Sequence, residues 1–144
     1  MLLTTKQMGI IAVSACALLS ACQSQPKSVS TNWLTTVNIN NRPTQANLTF
    51  VQTGNTVVAK VTEGNNTNYW VQIVGEMNGN VLTGKYMDHR SDHGRCNTLL
   101  TFDKAATGYY WGSVRLVFDG NKFTGKRSNC EGAFDTTWNG VLAK

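Results

Sequence analysis

From Trp33 onward, apolar and polar residues alternate in short runs separated by turn-forming residues, the two-residue period of half-buried strands. The pattern predicts strands at Trp33–Ile39, Ala46–Gln52, Thr56–Thr62, Asn68–Met77, Val81–Met87, Ser113–Phe118, Lys122–Ser128 and Thr136–Leu142. One phrase occurs three times, as Gly54-Asn55-Thr56-Val57-Val58-Ala59-Lys60, Gly79-Asn80-Val81-Leu82-Thr83-Gly84-Lys85 and Gly120-Asn121-Lys122-Phe123-Thr124-Gly125-Lys126. The last two extend upstream to Tyr69-Trp70 and Tyr110-Trp111, a repeat of about 17 residues offset by 41. Asn78 and Asp119 precede two of the glycines, so the turns read Asn-Gly and Asp-Gly, the pairs that best tolerate positive φ at both centres of a type I′ turn. Each phrase is therefore a hairpin, and the repeat is a reused structural unit.

The N-terminus follows a different pattern. One lysine (Lys6) precedes a weakly polar to apolar run from Met8 to Leu19, which ends in Leu19-Ser20-Ala21-Cys22. That is the layout of a secretory signal, too short and wrongly flanked for a membrane span. Leu-Ser-Ala-Cys resembles the lipobox of bacterial lipoproteins. The resemblance implies cleavage before Cys22, lipid attachment to it and a mature chain of 22–144. Val13-Ser14-Ala15-Cys16 has the same form, but cutting there would leave an apolar run of only Met8 to Ala12, below the ~7–15 residues such a core needs. Gln23 stands where an aspartate would retain a Gram-negative lipoprotein at the inner membrane, so the resemblance implies the outer membrane. Residues 23–32, polar and containing Pro26, read as a flexible tether.

A mature chain of 123 residues (144 less 21) suffices for one modest domain, here 33–144. Removing Lys6 from 13 basic residues leaves 12 against 8 acidic, a net charge of +4 spread along the chain. That excess fits a solvated surface with weak attraction to anionic polymers, and an exported protein is not expected to meet nucleic acid. Cys96 and Cys130 are the two thiols left, and in an exported domain they most simply pair. Eight antiparallel strands put all three tight turns at one end, provided that 87–113 returns to the end it left. Asn97–Phe102 and Gly108–Trp111 read as a short hairpin that preserves this parity and places both cysteines at the other end. In a simple meander of two full strands over 97–118 they would lie at opposite ends, beyond the ~7 Å that a disulfide tolerates between Cα atoms. The expected fold is all-β, a small up-and-down barrel of about eight strands with one disulfide-pinned excursion, since closure removes the edges. It resembles the calycin barrels of lipocalin and avidin type. Their Gly-x-Trp start appears here as Thr31-Asn32-Trp33, without the glycine, and no ligand residues carry over. Trp138-Asn139-Gly140 also resembles the ending of bacterial exported β-domains.

The densest polar stretch is Asp88-His89-Arg90-Ser91-Asp92-His93-Gly94-Arg95-Cys96, which holds both histidines. Imidazole and carboxylate suit zinc or copper, yet the neighbouring arginines repel a cation. General acid–base work needs a buried group in a cleft, which a loop does not imply. A solvated loop is the plain reading. As a site, the composition suits recognition of a partner through His89, Arg90, Asp92, His93 and Arg95, with Tyr109 as an exposed contact. Trp33, Trp70 and Trp138 read as structural, and Tyr110-Trp111 as packing. Gly-x-Ser-x-Gly, His-Glu-x-x-His and a phosphate loop are all missing. The expectation is a non-enzymatic outer-membrane lipoprotein that binds an envelope or extracellular protein, as an accessory or assembly factor or an inhibitor. No metal and no cofactor is expected beyond the lipid on Cys22. Two alternatives stay open: a small ligand inside the barrel, favoured by a roomy interior, and a metal held by His89 and His93.

Overall fold

The computed structural model describes residues 28–39, 42–64, 68–90, 94–104 and 106–144; the expected signal, Cys22 and residues 23–27 of the expected tether lie outside them. The strands are β1 (Ser28–Ile39), β2 (Arg42–Thr53), β3 (Thr56–Thr62), β4 (Tyr69–Asn78), β5 (Val81–Asp88), β6 (Leu100–Asp103), β7 (Ala106–Gly108), β8 (Trp111–Asp119) and β9 (Lys122–Arg127). The last strand is in two pieces, β10 (Thr136–Thr137) and β11 (Gly140–Leu142). Among the described residues there is no helix.

The ladder runs β1-β2-β3-β4-β5-β8-β9-β11 and returns to β1, an antiparallel barrel of eight strands. Closure pairs Trp33 with Leu142 and Phe123 with Gly140. Two residues interrupt the final strand, and β9 still holds them. The Trp138 N–H donates to the Gly125 carbonyl at 2.9 Å, and the Asn139 side-chain oxygen accepts the Gly125 N–H at 3.3 Å. β1 begins at Ser28, ahead of Trp33, and so takes in residues 28–32 that polar composition assigned to the tether. Their backbone pairs with Thr49–Thr53, and the Thr49 hydroxyl donates to the Asn32 side chain at 2.9 Å.

Alternation sends one set of side chains inward. Leu48 and Phe50 of β2, Val57, Ala59 and Val61 of β3, Ile73 of β4, Leu82 and Tyr86 of β5, and Leu116 of β8 are all buried. Trp33, Phe50, Phe118 and Phe123 meet edge to face or tilted, with centroids 5.2–6.4 Å apart, and fill one end of the barrel. Tyr86 and Trp138 fill the other, 6.0 Å apart. The interior is thus occupied by the protein's own aromatic and aliphatic side chains.

The repeated phrase now has a physical account. Each turn is centred one residue later than an Asn-Gly or Asp-Gly reading puts it: Thr53 pairs with Thr56, Asn78 with Val81 and Asp119 with Lys122. Gly54, Gly79 and Gly120 have φ near +60°, while among the described non-glycine residues only Cys130 has positive φ. Positive then negative φ is the sign pattern of a II′ turn, which needs glycine at its first centre, so the type I′ expectation is corrected. Five residues on, Ala59, Gly84 and Gly125 face inward, and the lysine after each faces out. A Cβ at Gly84 would collide with the Val74 carbonyl, so the strands close up there.

All three turns lie at one end, and so do both ends of the described chain. Ser28 pairs with Thr53 beside the first turn, and the Leu142 N–H donates to Asn121 in the third at 2.7 Å. The Cys96–Cys130 disulfide, with Cα atoms 5.5 Å apart, sits at the opposite end as expected. The excursion is a hairpin as expected, but its strands are β6 and β7, and Trp111 opens the long barrel strand β8.

Candidate functional site

At the disulfide end, the chain leaves β5 after Asp88 and returns at Trp111. The excursion folds back against β5 and makes a second, smaller core. Met87 pairs with Trp111, and both are buried together with Cys96 and Ala106. The Trp111 indole donates to the Thr98 carbonyl at 2.8 Å, and the Cys96 N–H donates to Tyr109 at 2.8 Å. With the disulfide, these contacts fix the excursion to the wall.

The polar stretch does not act as one loop. Asp88 is the last residue of β5, and the inward alternation through Leu82, Gly84 and Tyr86 carries its side chain, fully buried, into the barrel mouth. Arg90 holds it with two side-chain bonds, Nη2 to Oδ2 at 2.7 Å and Nε to Oδ1 at 3.1 Å, and the Arg90 backbone N–H adds a third at 2.8 Å. The Arg90 guanidinium also lies over the Trp70 ring at 5.1 Å. Trp70 is the extra residue of a bulge opposite Val61 and Thr62, half-buried against the core. Arg90 thus serves as an internal anchor, with a side chain only 16% exposed. His89 is exposed, its backbone N–H tied to Trp70 at 2.7 Å. Arg95 is exposed and stacks on half-buried Tyr109, 3.8 Å from the ring centroid. Asp92 and His93 lie outside the described residues. The structure therefore brings Arg95 and Tyr109 together and separates them from Arg90, which is spent on Asp88.

Within the mouth, a small cavity of about 50 Å³ is bounded by Val37, Tyr86, Asp88, Arg90, Arg127 and Trp138, among others. Arg127, which the sequence pattern did not single out, points inward. Its Nη1 donates to the Tyr86 hydroxyl at 3.1 Å, and Tyr86 donates to the Ser128 carbonyl at 2.8 Å. Such a cavity holds a few waters, well short of a lipocalin-type ligand. At the turn end the opening between Trp33, Phe50, Met77 and Phe118 is about 150 Å³. Among the described residues, no group of three or more His, Cys, Asp and Glu converges in a metal-like arrangement.

Sequence reasoning also missed three residues on the outer wall: Arg115, Lys126 and Phe134. They line a groove of about 570 Å³ on the flank of β8 and β9. The signal was available in the turn. A two-residue turn centred on Gly120-Asn121 sets Arg115 directly opposite Lys126.

No family model matches the chain, and no curated protein matches it. Among solved structures, it is similar to transferrin binding protein B, a vaccine antigen, from Haemophilus parasuis Hp5, in a tryptophan-to-alanine mutant. That similarity has a TM-score of 0.48 and 14% identity, covering 84% of this chain and 27% of that one. It is also similar to the isotype 1 protein of the same name from serogroup B Neisseria meningitidis, with a TM-score of 0.45 and 12% identity over 85% and 25% of the two chains. The chain thus spans about a quarter of each of these structures. The barrel assignment rests on the closed strand ladder.

Proposed function

We propose that this chain is a non-enzymatic lipoprotein of the outer membrane, anchored through lipid on Cys22, whose barrel binds another protein through its outer surface. The observation that carries this reading is the filled interior. Aromatic and aliphatic side chains occupy both ends of the barrel, and the two openings hold about 50 and 150 Å³. Pockets for small ligands are typically ~300–1,000 Å³, so recognition falls to the surface. The excursion is the most strongly built surface feature. A disulfide, a buried tryptophan and a stacked Arg95–Tyr109 pair hold it, and Leu99 stands 51% exposed beside them. Arginine and tyrosine held rigid lose little freedom on binding.

The test is site-specific photocrosslinking in the native cell from a probe at Leu99, in wild type and in a His89→Ala, Arg95→Ala, Tyr109→Ala variant. Arg90 is left intact, because its removal would disturb Asp88. One protein crosslinked in wild type and lost in the variant supports the reading. Crosslinks that are absent, or unchanged by the substitutions, refute the excursion as the contact surface.

A further inference from the structure

The barrel wall carries an unfavourable arrangement away from the excursion. Arg115 on β8 and Lys126 on β9 are directly opposite partners on the outer face, both exposed. Like charges so placed oppose folding, and among the described residues neither forms an ion pair. Of the acids on this side, Glu131 is paired and Glu76 is distant, while Asp135 next to Phe134 is hydrogen-bonded but keeps its charge. Glu131 takes Lys85 at 3.0 Å, Asp135 accepts the Thr136 hydroxyl at 3.1 Å, and Glu76 lies two strands away on the same row, beyond Thr83.

The two cations flank a groove rather than a plain wall. It measures about 570 Å³, with half-buried Val117 on its surface and Phe134, 45% exposed, beside it. Unpaired cations beside an exposed aromatic ring complement a chain that carries carboxylates and an apolar side chain. We infer that this groove binds an acidic, extended segment of a partner protein, with carboxylates on Arg115 and Lys126 and an apolar side chain on Phe134 and Val117. The inference rests on the reading of the chain as a protein-binding module, but it lies on a different face from the excursion.

The experiment is fluorescence anisotropy with the purified full chain in non-ionic detergent. The probe is an octapeptide alternating glutamate and leucine, acetylated at its N-terminus and carrying a fluorophore at its C-terminus, with a glutamine–leucine peptide labelled alike as control. Saturable binding of the acidic peptide is expected, weakened at least tenfold by Arg115→Gln with Lys126→Gln, and also by Phe134→Ser. Thermal unfolding of the charge variant should be equal to or higher than that of wild type, since a repulsion is relieved. The His89→Ala, Arg95→Ala, Tyr109→Ala variant should bind the peptide normally, which separates this groove from the excursion. Equal binding of the glutamine peptide, no binding of the acidic one, or loss only in the excursion variant would overturn the inference. So would displacement of the peptide by phosphatidylglycerol added as mixed micelles in the same detergent, which would make the groove a lipid contact.

Discussion

Asp88 and Arg90 are two residues apart, and the fold uses them as one unit. A carboxylate with no exposed surface is stable only while its charge is answered, and Arg90 supplies two side-chain hydrogen bonds and one from its backbone. Arg90→Ala is expected to destabilise the protein by about 3 kcal/mol, because it takes the guanidinium and its two hydrogen bonds away from a buried carboxylate. Replacing both residues, Asp88→Leu with Arg90→Met, should cost less than the single change, since no charge is then stranded. Urea midpoints of the three proteins check this, and a single variant as stable as wild type would remove the anchor from the account. The inward position of Asp88 was legible: Leu82, Gly84 and Tyr86 set the phase, and one more step reaches it. It was missed because polar residues after Met87 read as the start of a loop. Whether a short charged run is surface or anchor depends on which face the preceding strand has reached. Composition does not carry that information.

At the scale of elements, strands and hairpins were legible because each half-buried strand writes its period into the chain, and glycine marks the three turns of the repeated phrase. The turn centre was harder. Asn-Gly and Asp-Gly are the stronger hairpin signals, yet Gly-Asn forms the turn at all three sites. Centring the third turn on Asp119-Gly120 would have set Arg115 opposite Thr124, which hides the Arg115–Lys126 juxtaposition. The parity of the chain, by contrast, fixed the place of the disulfide, because a cysteine after the fifth strand and another after the seventh must share an end. Cys96 and Cys130 are 34 residues apart. The chain-entropy model gives such a loop roughly 3–4 kcal/mol of stabilisation. The double variant Cys96→Ala, Cys130→Ala should lose about that much in denaturant unfolding. Hydrogen exchange should rise first in residues 94–110, because the bridge also ties the excursion to the loop after β9. Uniform loss of protection across the barrel would instead make the bridge a global crosslink with no special hold on the excursion.

For the molecule as a whole, the parity of the strands puts both ends of the described chain at one end of the barrel. Ser28 enters at the end that carries the Gly54, Gly79 and Gly120 turns, and the chain leaves at that same end through Leu142. The proposed anchor at Cys22 precedes Ser28 by six residues, which span at most about 20 Å when extended. With lipid on Cys22, a tether this short would hold the turn end close to the bilayer and direct the disulfide end, with Arg95, Tyr109 and Leu99, away from it. A recognition surface at the distal end is then free to meet a partner, and the outer wall with Arg115 and Lys126 stands to the side, reachable by an extended segment. This geometry predicts a depth order. With an environment-sensitive fluorophore attached at Asn80→Cys in one variant and at Thr101→Cys in another, headgroup-quencher lipids should quench the first label strongly and the second little. Both positions are exposed, so neither label disturbs the core. Equal quenching would mean that the barrel lies on its side at the membrane, and the reverse order would place the excursion against the lipid, where it could not serve as the distal contact.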